Sequence, residues 1–69
     1  MQHSYVVELK YAKGKDNVER VEHLRQEGIE QVNRYAASEM VQHAIGGTVL
    51  HKIVVVYRGM DMVVCEEII

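Results

Sequence analysis

Thr48-Val49-Leu50-His51-Lys52-Ile53-Val54-Val55-Val56-Tyr57 decides the fold. It ends in a continuous apolar, β-branched run, which suits a strand buried on both faces rather than one facing water. Upstream, Gly46-Gly47 is a stop signal, because glycine adopts the left-handed conformation that ends a helix. Before it, Val18, Val21, Leu24, Gly28, Val32, Tyr35 and Ala36 recur at steps of three and four. That stripe predicts a helix from about residue 17 to about 43. Asp16 with Glu19 reads as the capping box that opens it. Glu30 and Arg34 form an i,i+4 pair in the favourable order. Gly28 marks either a break into two helices or a close approach to a sheet.

Further upstream, Tyr5, Val7, Leu9 and Tyr11 alternate with Ser4, Val6, Glu8 and Lys10. Period-2 alternation over residues 4–11 predicts a strand with Glu8 and Lys10 on one face. Downstream, Arg58-Gly59-Met60-Asp61 is a turn, and residues 62–69 read as a strand closing a hairpin. The expected fold is α/β, in the order β-α-β-β. It has a three-stranded mixed sheet, with the first two strands parallel, the last two a hairpin, and one long or broken helix on one face. A right-handed crossover is the norm for such a parallel pair. The uncovered face is expected to carry Val6, Glu8, Lys10 and half of the Ile53–Tyr57 run. That exposed apolar surface and the free edge of the first strand favour a homodimer or higher oligomer, or else a missing N-terminal segment.

The chain has 69 residues, enough for a single domain over 1–69. A domain so small buries only about 60% of its unfolded surface and needs a staple. Cys65 is the only cysteine, so no internal disulfide forms. A lone cysteine fits a reducing, cytoplasmic setting. Composition is that of a folded domain, 48% hydrophobic and 26% charged. A net charge of −2 gives no electrostatic case for nucleic-acid binding. No apolar run is long enough for a membrane span, and residues 1–4 do not resemble a signal peptide.

Glu8-x-Lys10 is the sharpest local feature. A carboxylate is a hard ligand for Mg²⁺ or Mn²⁺, and a lysine on the same face can orient or help deprotonate an attacking water. The plain alternative is a surface ion pair, since this tripeptide is common by chance. Gln31-x-x-x-Tyr35 puts an amide and a phenol on one helical face, where they can hold a phosphate or metal-bound water and anchor a nucleic-acid backbone. The plain alternative there is Tyr35 in the core stripe with Gln31 at its border.

Taken together, these features resemble the PD-(D/E)XK nuclease superfamily. The strand Glu8-Leu9-Lys10-Tyr11 is followed by the helix Ile29-Glu30-Gln31-Val32-Asn33-Arg34-Tyr35-Ala36-Ala37-Ser38 and the strand and turn His51–Gly59. Within that superfamily they are similar to the RecB-type branch, with its Q-x-x-x-Y helix. They also resemble the nuclease-like domain at the C-terminus of bacterial proteins that begin with an AAA-ATPase-like region. The resemblance implies a partial restriction-endonuclease-like core. It makes Glu8 a metal ligand with the Leu9 carbonyl, and Lys10 the catalytic lysine. Gln31 and Tyr35 then line the site, and Mg²⁺ or Mn²⁺ serves as cofactor for cutting nucleic-acid phosphodiesters. The family's first helix, first two strands and PD-motif aspartate have no counterpart here. Asp16 and Asp61 fall in loops, away from that role. One carboxylate and one carbonyl make a poor divalent site, so weak or absent metal binding and no cleavage by this chain alone are expected. The competing reading is a small oligomerising α/β interaction module with a vestigial site.

Elsewhere, His3, His23, His43 and His51 lack the i,i+4 helical spacing of a zinc motif. His3 is expected to be a frayed terminus or to flank Glu8. Cys65 reads as a small buried hydrophobe, and Met40, Met60 and Met62 as core or contact filler.

Overall fold

The computed structural model describes residues 2–68, apart from the side chains of Glu39, Ala44 and Ile45. It contains β1 (His3–Ala12), α1 (Val18–Ala36), α2 (Glu39–Ile45), β2 (Val49–Arg58) and β3 (Asp61–Ile68). The sheet order is β1-β2-β3. β1 runs parallel to β2, and β3 returns antiparallel. The expected α/β architecture is therefore the observed one. The predicted strand end at Ile69 lies outside the described residues. β3 begins at Asp61, so that residue is paired with Arg58 rather than held in a loop. No helix among the described residues is long and apolar enough to cross a membrane.

The apolar run of β2 lies in the central strand, and Val54, Val55 and Val56 are buried in succession. Val54 and Val56 meet the buried α1 stripe of Leu24 and Val32, with Val6, Val21, Ile29, Val64 and Ile68 packed around them. Burying such valine and leucine side chains contributes about 1.5–3 kcal/mol each. Gly28 is the close approach, not a break: a Cβ there would lie 2.7 Å from Val54 Cγ1. The helix instead breaks after Ala36. Ser38 caps α2, its hydroxyl accepting from the Val41 N–H, so the single helix expected to 43 is two.

Helix entry differs from the predicted capping box. Asn17 is the N-cap, its Oδ1 accepting from Arg20 N at 2.9 Å. Asp16 closes the preceding turn by accepting from Lys13 N at 2.8 Å. Arg20 lies three residues after Asn17, so the side-chain acceptor one step later wins the cap. Among the described residues no ion pair joins Glu30 to Arg34. Two other contacts tie α1 to the sheet. Arg25 donates to Glu66 on β3, with Nη2 2.8 Å from Oε1, and Lys52 Nζ donates to Asn33 Oδ1 at 2.8 Å. Hydrogen bonding to Glu66 raises the Arg25 pKa above its ordinary value.

The largest correction concerns the sheet faces. Ser4, Val6, Glu8 and Lys10 lie under α1, not on the uncovered side. Val6 packs on the core, and the Lys10 stem passes beneath Gly28. The open face instead carries Tyr5 (62% exposed), Val7, Leu9 and Tyr11 (66% exposed). Alternation separates two faces but does not say which one the helix covers. The path of the crossover decides that, and it is set by backbone twist rather than side-chain polarity. Tyr11 stacks on Tyr57 at 5.7 Å on this open face. A bulge between Val56 and Tyr57 leaves Val63 without a cross-strand partner. Cys65 is exposed rather than buried. Met40, Met60 and Met62 are exposed too, so none fills the core.

Candidate active site

Helical geometry fixes which residues of α1 can reach β1. With Gly28, Val32 and Ala36 against the sheet, steps of 100° put Gln31, Arg34 and Tyr35 on one flank and Arg25 and Asn33 on the other. The second flank serves β2 and β3, through Lys52 and Glu66. The first flank overhangs Glu8 beside the free edge of β1. Glu8, Gln31, Arg34, Tyr35 and Ser38 line an open cavity there of about 370 Å³.

Three of the residues singled out from sequence, Glu8, Gln31 and Tyr35, thus share one cavity. Tyr35 is 57% exposed, which excludes the alternative of a core tyrosine. Lys10 stands beside them without lining the cavity. Its Nζ is 3.8 Å from Glu8 Oε1, and its side chain is only 17% exposed. The Leu9 side chain points to the open face of the sheet. Only its backbone carbonyl belongs to the carried-over ligand set.

Arg34 and Ser38 are the lining residues the sequence reading missed. Arg34 was assigned to Glu30, although its i+3 spacing from Gln31 already put it near the same flank. Ser38 reaches the cavity because the chain turns there to start α2, which an unbroken helix to residue 43 concealed. His3 does not flank Glu8: it lies on the opposite face of the sheet, against His51.

Chemically, the cavity offers a fork of Arg34 N–H donors suited to a phosphate. The Gln31 amide, the Tyr35 hydroxyl and the Ser38 hydroxyl, which keeps its own O–H to donate, add neutral donors. Among the described residues Glu8 supplies the single carboxylate.

The strand bearing Glu8-x-Lys10 lies beneath a helix whose Gln31 and Tyr35 line the same cavity as the carboxylate. Residues 1–67 match the PD-(D/E)XK nuclease superfamily, and the chain belongs to that superfamily. No curated protein and no solved structure matches it significantly. Members of the superfamily generally use divalent metal ions.

The donors present do not fit such an ion. Among the described residues Glu8 is the one carboxylate lining the cavity, and it already faces an ammonium. Among the described residues no group of three or more His, Cys, Asp or Glu is arranged to hold a metal. A Mg²⁺ site built from one carboxylate relies on phosphate oxygens and water for its other positions.

Proposed function

We propose that this chain carries the Glu-x-Lys half of a phosphodiester-cleaving centre of the RecB-type branch. Domains of this kind occur in bacterial proteins that begin with an AAA-ATPase-like region. In this reading the cavity receives a backbone phosphate of a nucleic acid. Arg34 and Gln31 hold the phosphate oxygens, Tyr35 and Ser38 position the adjoining sugar-phosphate, and Lys10, with its Nζ 3.8 Å from Glu8 Oε1, is the catalytic lysine that orients the attacking water. The second acidic ligand comes from polypeptide beyond these 69 residues, and the 69-residue chain alone binds but does not cut. Mg²⁺ or Mn²⁺ belongs to the completed centre. A reducing cytoplasmic setting suits the free Cys65 thiol.

The observation that carries this reading is the convergence of Glu8, Gln31, Arg34 and Tyr35 on one cavity. The net charge of −2 makes any nucleic-acid binding local and salt-sensitive rather than global. The test is fluorescence anisotropy of a labelled single-stranded oligonucleotide at low salt, with and without Mn²⁺. Arg34→Ala is expected to weaken binding about tenfold, and Glu8→Ala to remove any Mn²⁺ enhancement. No cleavage product is expected from either variant or the parent. Equal affinities for parent, Arg34→Ala and Gln31→Ala remove the nucleic-acid reading.

The open sheet face favours a second reading, an oligomerising module in which the site is vestigial. Tyr5, Val7, Leu9 and Tyr11 form a contiguous exposed apolar strip, and β1 and β3 are both edge strands. In this reading a homodimer covers the strip. Light scattering separates the two: a clean monomer at high concentration, together with oligonucleotide binding, leaves only the first.

A further inference from the structure

On the face of the sheet away from the nuclease-like cavity, three side chains from three strands form one hydrogen-bonded chain. His51 Nδ1 lies 3.0 Å from Glu67 Oε2, and His51 Nε2 lies 2.8 Å from His3 Nδ1. The ladder explains the meeting. Tyr5 pairs with His51 across β1 and β2, so His3 is its diagonal neighbour, while Glu67 pairs with Ile53 and approaches from β3. Tyr5 stacks on the His51 ring at 4.9 Å and 18°, fixing its plane. The His3 ring is tilted by 38° at a centroid distance of 4.9 Å.

We propose that His3 Nδ1 and His51 Nε2, with Glu67 behind His51, form a site for an imidazole-preferring divalent transition ion such as Zn²⁺. A carboxylate can only accept, so His51 donates from Nδ1 to Glu67. In the neutral ring that leaves the Nε2 lone pair as the acceptor of the His3 Nδ1–H. A carboxylate holding the far nitrogen of a ligating histidine is the recurrent way proteins fix that ligand's tautomer and orientation. His3 becomes a ligand by moving its proton from Nδ1 to Nε2, a tautomer change that costs no charge. Two imidazole nitrogens about 2.0–2.1 Å from Zn²⁺ in tetrahedral geometry stand about 3.4 Å apart. Opening the present 2.8 Å contact by roughly half an ångström is enough, and both rings are near the surface. The protein supplies two ligands, consistent with the lack of any three-residue cluster among the described residues. The other coordination positions are left to water or to a donor from a second molecule. Nitrogen ligands favour Zn²⁺, Cu²⁺ or Ni²⁺ over Mg²⁺. The site is therefore chemically separate from the Glu8 cavity.

Zn²⁺ alone is the probe, followed by isothermal titration calorimetry near pH 7.5. Every protein used carries Cys65→Ser, because the exposed thiol on this face is a competing ligand type for zinc. One Zn²⁺ per chain is expected, undisturbed by excess Mg²⁺. His3→Ala and His51→Ala are each expected to weaken it at least tenfold, and Glu67→Gln about tenfold or more. His23→Ala and His43→Ala, on the helices, should leave it unchanged. Circular dichroism checks that the variants remain folded. Should His51→Ala misfold, histidine ring resonances of the parent that broaden with paramagnetic Cu²⁺ report the same contact. No saturable Zn²⁺ uptake up to about 1 mM overturns the proposal. So does parent-like uptake in both His3→Ala and His51→Ala, or Cu²⁺ broadening confined to His23 and His43.

Discussion

Gly28→Ala should destabilise this protein, although the same change stabilises most helices. At an exposed helical position the added methyl is worth about 0.5–1 kcal/mol in the helix's favour. Here the new Cβ would meet Val54 Cγ1 at 2.7 Å, against roughly 3.5–4.0 Å for carbon atoms at rest. About 1 Å must be found. Val54 is fully buried and stiff about χ1, so α1 has to lift from β2. The other neighbours of the new Cβ, Val54 Cγ2 at 3.6 Å and Lys10 Cγ at 3.7 Å, are in ordinary contact. The offence is therefore a single methyl group. Overpacking of this kind costs about 1–3 kcal/mol, which leaves a net loss of up to about 2.5 kcal/mol, about 1 at the middle of the ranges, once the helical gain is subtracted. In a domain of this size that is several degrees of Tm, at about 4–8 °C per kcal/mol. Thermal and urea unfolding followed by circular dichroism measure it. A double-mutant cycle with Val54→Ala tests the cause. With both γ-methyls gone, Gly28→Ala should turn neutral or stabilising. A raised Tm for Gly28→Ala alone, or an equal loss in both backgrounds, refutes the close-approach account.

Two further outcomes follow from the helix and its surface. Asn17→Ala should cost about 1 kcal/mol through loss of the bond to Arg20 N. Asp16→Ala, which breaks only the turn bond to Lys13 N, should cost less, and urea midpoints rank the two. Hydrogen bonding from Gln26, with help from Arg25, lowers the Glu22 pKa below its ordinary 4.5. The unfolded chain thus binds more protons than the folded one just below that value, and stability rises with pH there. The small contribution of Glu22 is complete above about pH 5 and fades as acid titrates the folded carboxylate. Glu22→Gln should flatten that acid limb in a pH series of Tm values by removing the small contribution present at neutral pH, and leave stability at low pH nearly unchanged.

Periodicity along the chain was enough to establish element types, order and strand pairing. The Ile53–Tyr57 run, the 24-28-32-36 stripe and the Gly46-Gly47 stop are local patterns, and each meets one structural requirement. Strand and helix periods put Glu8 with Lys10 and Gln31 with Tyr35; the resemblance joined the two pairs, and the path of α1 over β1 brings Glu8, Gln31 and Tyr35 to one cavity. Other features depend on how elements meet. The side of the sheet that α1 covers comes from the crossover, and it moved Glu8 and Lys10 from an expected open face to a half-covered one. The turn at Ser38 brought Ser38 to the cavity, and Arg34 joined it from the same flank of α1. The contact of His3, His51 and Glu67 joins residues 48 and 16 positions apart. No spacing rule connects such positions; only the register of three strands does.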